Sequence, residues 1–478
     1  MMYYINKMKL TNYYIKYKSS HNNKYLVNTL TGKINVIQDN LYEDFTRIEN
    51  GELNIHNKSL DFFIQNQYLC NDRDEFNLIN FAFEKFQKHI QKHLAIFLYI
   101  TYDCNLMCTY CNYKYIDEGK NTMSEIKIDY AFEAIAKLIK DSEQEEITFI
   151  LFGGEPFLNK NKEILFSFLD KYSRFKLQNS SKKHKLITFT NGIEIPLFIT
   201  KHIDYLRIFD SIYITLGGSK LSHNRARIFP NNKGSYDFVI NGVNKLLTEN
   251  IPVWLVFNSS KSNVNELADI NSLIKLNKWD QCCSFLGCCV SRIKSRGMIG
   301  IIETYTEQEL IYDVSRLIEE KQIDQSLFNF EDMRILKNIE RLFLLPDENK
   351  DFHQFYGCGN RINQYSFTPD GKIYPCSPSA GKEKYFIGEF YPSFSIKNEH
   401  GHLWTYNNVF HLEKCKTCSM AFLCAGGCQY SAREKMHNEK KENYIPDCMD
   451  AVQIVYAYIE AVEKNINITN SETIYERL

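Results

Sequence analysis

Between Leu94 and Ser291 six apolar segments recur, each parted from the next by helical patterning, and this alternation constrains the fold more than any other feature of the chain. The segments are Leu94 to Ile100, Ile147 to Phe152, Leu186 to Thr190, Ser211 to Leu216, Val253 to Asn258 and Cys282 to Ser291. Amphipathic stretches such as SEIKIDYAFEAIAKLIK and YDFVINGVNKLL separate them, with the apolar spacing of helices that bury one face. Strands alternating with helices imply βαβ units and a parallel sheet, here of six strands. In such sheets and barrels the functional groups gather at the carboxyl ends of the strands.

The motifs obey that rule. The first strand leads into TYDCNLMCTYCNYK, with Cys104, Cys108 and Cys111 in a CxxxCxxC triplet. GGEP (Gly153 to Pro156) follows the second strand, TNG (Thr190 to Gly192) the third, LGGS (Leu216 to Ser219) the fourth and NSSKSN (Asn258 to Asn263) the fifth. All five are expected on one rim.

Flanking regions differ in character. KYLVNTLTGKINVI predicts a β-hairpin that turns at Thr31-Gly32, and SLDFFIQNQYL and FNLINFAFEKFQKHIQKHL predict helices, which together suit a small recognition domain or a structural cap. Two helical stretches follow residue 300, and beyond Tyr356 glycines and cysteines replace regular apolar patterning. Domains are therefore expected at 1–90, 91–300, 301–350 and 351–478.

Composition narrows the setting. Fifty-seven lysines and arginines against 58 acidic residues give no electrostatic footprint for nucleic acid or for an anionic membrane. No apolar run approaches the roughly 20 residues of a membrane span, and the first residues lack a secretion signal, so a cytoplasmic home is expected. There, fifteen cysteines read as metal ligands or redox groups before disulfides. Three close thiolates suit three corners of an iron-sulfur cluster, leaving one iron open to a small molecule; a zinc site would usually close with a fourth ligand.

The triplet, the aromatic Tyr110 before its last cysteine, and GGEP after the next strand together resemble the radical S-adenosylmethionine superfamily. The resemblance implies a 4Fe-4S cluster on Cys104, Cys108 and Cys111 whose open iron chelates S-adenosylmethionine. It further implies reductive cleavage of the cofactor to a 5′-deoxyadenosyl radical that abstracts hydrogen. On this reading Gly153 and Gly154 let backbone approach the methionine moiety, Glu155 accepts from its ammonium group, and Tyr110 lies against the adenine. Thr190 and Asn191 bond polar groups of the cofactor, and Arg227 meets its carboxylate or ribose. Two departures touch the substrate side: related enzymes often carry Asp-Gly where Gly217-Gly218 stands, and an aspartate where Asn224 stands.

A second cysteine set, Cys358, Cys376, Cys415, Cys418, Cys424, Cys428 and Cys448, has the spacing of the SPASM domain of peptide-modifying radical enzymes and resembles it, with Gly371 in register. That likeness implies two auxiliary 4Fe-4S clusters, three clusters in all. Cys415, Cys418, Cys424 and Cys448 would hold one; Cys358, Cys376 and Cys428 would hold three irons of the other. LPDENKDFHQFYG, just before Cys358, contains no cysteine to complete it. Cys282, Cys283, Cys288 or Cys289 could do so, bind another metal or act in catalysis, while Cys70 reads as a small buried hydrophobe.

The fold class expected is α/β: a partial (β/α)6 TIM-type barrel core, an N-terminal α+β recognition domain resembling a winged helix, and a C-terminal SPASM domain. The function implied is a maturase that installs cysteine thioethers, of the sactipeptide or ranthipeptide type, in a ribosomally made precursor peptide. Its partners would be that peptide with its leader and a flavodoxin- or ferredoxin-type reductant. Alternatives are epimerisation, a carbon-carbon cross-link, sulfatase formylglycine formation, or a non-catalytic iron-sulfur protein for sensing or electron transfer. No residue pattern marks a catalytic acid or base.

Overall fold

Strand formation follows the apolar runs closely. A computed structural model describes residues 8–52, 55–111, 113, 122–140, 143–293, 305–330, 333–344, 352–357, 363–397, 404, 407–435 and 446–466. N-terminal strands are β1 (Lys9–Leu10), β2 (Tyr14–Lys18), β3 (Lys24–Asn28), β4 (Ile34–Ile37) and β5 (Leu69–Cys70). The core strands are β6 (His93–Thr101), β7 (Glu146–Gly153), β8 (Lys183–Thr190), β9 (Ser211–Thr215), β10 (Val253–Ser259) and β11 (Phe285–Arg292). Beyond them come β12 (Phe328–Asn329), β13 (Gln364–Phe367), β14 (Lys372–Tyr374), β15 (Gly388–Glu389) and β16 (Ser395–Ile396).

The six core strands are parallel and lie in chain order, as the alternation predicts. The sheet runs further than six, however. Strand β12 adds beside β11 and β13 beside β6, both parallel, and β14, β15 and β16 continue antiparallel to make eleven strands. Strands of two to four residues carry too little periodicity to be read from sequence. Through β13 the cysteine-rich region shares the core sheet.

Alternation along the strands sends side chains to two different layers. Leu94, Ile96, Leu98 and Ile100 of β6 face a core shared with Ile128, Ile135, Phe168, Phe198, Val243 and Ile270 of the intervening helices. The other face carries Phe97, Ile150, Phe152, Phe189, Tyr213, Trp254 and Cys289. Phe189 and Tyr213 stack there at 4.7 Å between ring centres, as do Tyr213 and Trp254 at 6.2 Å. Because the helices cover one face only, the sheet has the layering of a barrel wall rather than of a doubly wound fold. Each fully buried Leu or Phe of that core contributes about 1.5–3 kcal/mol.

The predicted hairpin forms as β3 and β4, with Gly32 at a φ of 77° in the turn, and β2 completes a three-stranded antiparallel sheet. Helices Asn57–Gln65 and Asp72–Ile90 follow, the latter capped where the Asp74 N–H donates to the Asn71 side chain. Helices Glu307–Glu319 and Arg334–Leu344 supply the two helical stretches expected past residue 300. They are joined by a buried pair. Arg292, at the end of β11, donates to Glu307 at 2.9 Å, and the other oxygen of Glu307 accepts the Ile335 and Leu336 N–H groups at 3.1 Å. A carboxylate placed against unpaired helix N-terminal amides is favourable on both hydrogen-bond and dipole grounds. Among the described residues no helix is long and apolar enough to cross a membrane.

Candidate functional site

The carboxyl end of β6 runs directly into the cysteine loop, which is strapped down from two sides. From one side, the Met107 N–H donates to Ile228 O at 2.7 Å and the Thr109 N–H to Ala226 O at 2.9 Å. From the other, the Gly154 N–H donates to Thr101 O at 3.0 Å and the Glu155 N–H to Asp103 O at 2.7 Å. This second strap explains the glycines. A Cβ on Gly154 would stand 2.1 Å from Asp103 O, and one on Gly153, whose φ is +131°, would stand 2.4 Å from Thr101 O. Their smallness admits the cysteine loop itself.

Within the loop, Cys108 is buried and Cys111 half-buried, while Cys104 is exposed as a residue although neighbouring protein crowds its sulfur. The Leu106 N–H points at Cys104 Sγ at 3.4 Å, and the Cys111 N–H donates to Cys108 O at 3.2 Å. Protein packed around the Cys104 sulfur pushes its thiol up to about 12, with Glu155, Cys108 and Cys111 adding to the shift and the Leu106 N–H opposing it. The Cys108 and Cys111 thiols thus lie close enough to Cys104 to act on its charge.

Glu155 is buried, and the ends of β7 and β8 meet on it. Its Oε1 accepts from Thr190 Oγ1 at 2.7 Å and from the Phe157 N–H at 2.9 Å, while Oε2 accepts the Asn191 N–H at 2.6 Å. Burial raises its carboxyl to about 7 despite these three donors. Asn191 in turn donates to Asn105 Oδ1 at 2.7 Å and reaches Cys104 Sγ at 3.8 Å. Glu155, Thr190 and Asn191 thus bind one another and the cysteine loop before any ligand is considered.

Across the rim, Arg227 Nη1 donates to the Tyr110 hydroxyl at 2.7 Å. Arg227 is only 6% exposed, and among the described residues no carboxylate pairs with it and its Nε meets no acceptor. Burial disfavours its charge, but Tyr110 and Cys108 more than restore it, so the guanidinium stays cationic. A buried cation with an orphaned donor is set for an anion.

Of the two departures, Gly217 has no steric cause, since a Cβ there would stand 3.4 Å or more from its nearest neighbours, His223 and Arg227. The glycine that keeps the pattern, Gly218 at a φ of +94°, lies where a Cβ would strike Glu266 Oε2 at 2.0 Å, and Glu266 accepts the Ser219 N–H at 2.7 Å. Asn224 Oδ1 accepts the Tyr236 N–H at 2.9 Å, with Gly234 packed on its amide.

Of the second cysteine set, Cys358 lies outside the described residues. Cys415 is buried and pushed up to about 12 by that burial, then by Cys424, Cys418 and Cys448, so these four form one group. Burial and Cys418 likewise push Cys424 up to about 12. Cys376 is buried and Cys428 half-buried. Cys282 and Cys283 precede β11 and so lie at its amino end, opposite the rim, where a strand expected to begin at 282 had not placed them. Cys288 faces the helix-side core and Cys289 the aromatic layer. Cys70 is buried, as expected of a small hydrophobe.

Residues 98–261 match the family model described as the Radical SAM superfamily. A cysteine-type anaerobic sulfatase-maturating enzyme of Clostridium novyi (strain NT) is 21% identical over 359 residues, covering 71% of this chain and 89% of the relative. The structure of anSMEcpe with bound AdoMet superposes with a TM-score of 0.55 at 16% identity, over 78% of this chain and 100% of that one. SuiB of Streptococcus suis, bound to precursor peptide SuiA, gives 0.53 at 15% identity, over 93% and 100%. At these identities the superpositions speak for the fold alone. The chain carries a radical SAM domain and is an enzyme of oxidoreductase-type radical chemistry. Such a domain implies S-adenosylmethionine and a 4Fe-4S cluster.

Proposed function

We propose that the chain is a peptide maturase that joins a cysteine sulfur to a carbon of another residue in a ribosomally made precursor. The observation that carries the radical site is the meeting of three close thiols with a buried guanidinium whose Nε lacks an acceptor among the described residues, at one rim. Thiols grouped this closely, with Cys104 pushed up to about 12, ionise when a multivalent cation arrives, which suits iron. The orphaned Arg227 Nε suits a carboxylate or ribose oxygen.

Cys104, Cys108 and Cys111 would hold the cluster, and Arg227 and Tyr110 would flank the cofactor. Bound at the open iron and reduced by one electron, S-adenosylmethionine supplies hydrogen abstraction through its 5′-deoxyadenosyl group. The chain's own part is to orient and to exclude water. Glu155 clamps the loops of β7 and β8 and so steadies Asn191 against Cys104, while the aromatic layer from Phe97 to Trp254 walls the face below the rim. Gly153, Gly154 and Thr190 belong to this frame, and their backbone and hydroxyl groups border the cofactor.

Cys415, Cys418, Cys424 and Cys448 would hold one auxiliary cluster in a SPASM-type domain, and Cys358, Cys376 and Cys428 three irons of another. An open auxiliary iron suits a substrate thiolate, which favours thioether formation. A peptide substrate accords with the solved relatives bound to peptides, anSMEcpe with Kp18Cys and SuiB with SuiA. The sheet β2-β3-β4, with β4 at its edge, suits leader binding as an added strand.

The experiment is an anaerobic incubation of reconstituted enzyme, dithionite, S-adenosylmethionine and the peptide encoded beside the gene, read by mass spectrometry after thiol alkylation. Loss of two hydrogens per cross-link, with the cysteine protected from alkylation, is expected. Mass loss with every cysteine still alkylatable rejects the thioether. A second reading, formylglycine formation on a sulfatase, draws on the Clostridium novyi relative, and conversion of a sulfatase-derived peptide under the same conditions would select it.

A further inference from the structure

His223 is fully buried on the short helix Lys220–Ala226, and both of its ring nitrogens are engaged. The Gly217 N–H lies 3.0 Å from Nδ1. A backbone N–H only donates, so Nδ1 must offer its lone pair and the ring proton sits on Nε2. From Nε2 the ring donates to Ser235 Oγ at 3.0 Å, and Ser235 passes its own proton to the carbonyl of Arg227 at 2.8 Å. Arg227 closes the circuit with its N–H, 2.8 Å from His223 O. A charged imidazole would set N–H against N–H at Gly217, and burial together with the charge of Arg227 holds the ring neutral, at about 3. Tyr236 packs edge-on against the ring at 5.5 Å.

Arg227 leaves the helix with a φ of −121° and a ψ of 84°, so the direction of its carbonyl is set by Ser235 rather than by a helical turn. The carbonyls on either side of it, Ala226 O and Ile228 O, are the two that accept Thr109 and Met107 of the cysteine loop. One fixed carbonyl therefore governs both the aim of the guanidinium toward Tyr110 and the register of the strap on the cysteines.

We propose that His223, acting through Ser235, is a positioning residue for the cofactor site: a neutral strut that sets Arg227 and the 226–228 strap against the cysteine loop. The inference rests on the reading that Arg227 faces S-adenosylmethionine. Partners of this kind typically change affinity at a site by 10- to 100-fold when removed.

The test uses full-length reconstituted enzyme and three variants. Ser235→Ala cuts the link to Arg227 O; His223→Asn keeps an acceptor for Gly217 but loses the donor; His223→Gln keeps a donor at the Nε2 position. Equilibrium binding of S-adenosylmethionine, KM against kcat, and the change in the reduced cluster's electron paramagnetic resonance on cofactor addition are read together with iron content and melting temperature. Expected are an affinity loss of about tenfold for Ser235→Ala and His223→Asn, a smaller loss for His223→Gln, and KM rising more than kcat falls. Ser235→Ala protein with wild-type iron and melting temperature and unchanged affinity overturns the proposal, as do identical losses in Gln and Asn. Should His223→Asn fail to fold, Ser235→Ala decides alone. Wild-type enzyme that binds and cleaves the cofactor while Ser235→Ala binds it equally well sinks this inference only; wild-type enzyme that binds none sinks the functional reading as well.

Discussion

The Asn191 N–H donates to Glu155 Oε2 at 2.6 Å, joining the loop after β7 to the loop after β8 beneath the cysteines. With Thr190 and Phe157 on the other oxygen, the carboxylate has three donors within the protein. Glu155→Gln turns an amide NH2 toward at least one of them. It is expected to lower stability by roughly 1–3 kcal/mol and to weaken iron retention at the triplet, because Asn191 leans on Cys104. Urea unfolding and iron analysis of the purified variant check this.

Two glycines separate steric crowding from backbone strain. At Gly154 an added Cβ meets two backbone carbonyls, Asp103 O at 2.1 Å and Tyr102 O at 2.4 Å, and neither is the end of a flexible side chain. At Gly51, φ +84°, nothing lies within 4 Å. Gly51→Ala is expected to cost about 1–2 kcal/mol from its left-handed backbone alone. Gly154→Ala is expected to displace the cysteine loop and to lose one cluster's iron while the Cys415 group keeps its own. Iron-to-protein ratios of the two variants separate these effects.

Glu340 gives a pH dependence of known sign. It is buried on the helix Arg334–Leu344 with Oε1 unpartnered, and burial raises its carboxyl to about 8 against the pull of Lys337 and Arg341. A carboxyl raised in the folded state contributes stability below its unfolded pKa that is lost as pH rises through the folded one. Glu340→Gln should therefore match wild type near pH 4 and exceed it above pH 8, by roughly 1–3 kcal/mol. Thermal melts at the two extremes decide the point.

The opposite sign holds where the N-terminal sheet meets the C-terminal helix Ala451–Glu463. Glu463 accepts from Ser19 at 2.9 Å, Asn23 at 2.8 Å, Tyr25 at 2.7 Å and His21 at 3.0 Å, and Tyr456 stacks on Tyr17 at 4.1 Å. Burial would raise the Glu463 carboxyl, but the donors outweigh it and leave it lowered. Such a group stabilises above its unfolded pKa and loses that contribution as pH falls through its folded value. Amide exchange in residues 14–28, corrected for intrinsic rate, should rise as pH drops below about 4, and Glu463→Gln should raise it already at neutral pH.

Sequence made the core legible because long β-strands and amphipathic helices write their periods over many residues, so β6 through β11 and the rim they define could be read directly. Cys104, Cys108 and Cys111 were legible for a different reason, since their spacing carries chemistry by itself. What sequence missed depends on partners distant along the chain. The close approach that Gly154 permits to the Asp103 carbonyl leaves no local pattern in the sequence. Gln364 to Phe367 pairs with a strand some 270 residues earlier, which no local pattern records. His223 and Ser235 look ordinary until a helix and the following turn bring them onto one carbonyl. Cys282 and Cys283 were placed on a strand that begins only at Phe285, which moves them to the wrong end of the sheet for the rim.

The central claim is that Cys104, Cys108 and Cys111 hold the cluster at which S-adenosylmethionine is cleaved. Its most direct measurement is the yield of 5′-deoxyadenosine from anaerobically reconstituted enzyme with dithionite and S-adenosylmethionine, compared with the Cys104→Ala, Cys108→Ala, Cys111→Ala triple variant. The account predicts 5′-deoxyadenosine and methionine in equal amounts from wild type, none above background from the variant, and iron lower in the variant by about four per chain. Wild-type protein that carries its full iron and yields no 5′-deoxyadenosine, or a triple variant that still yields it, would contradict the account.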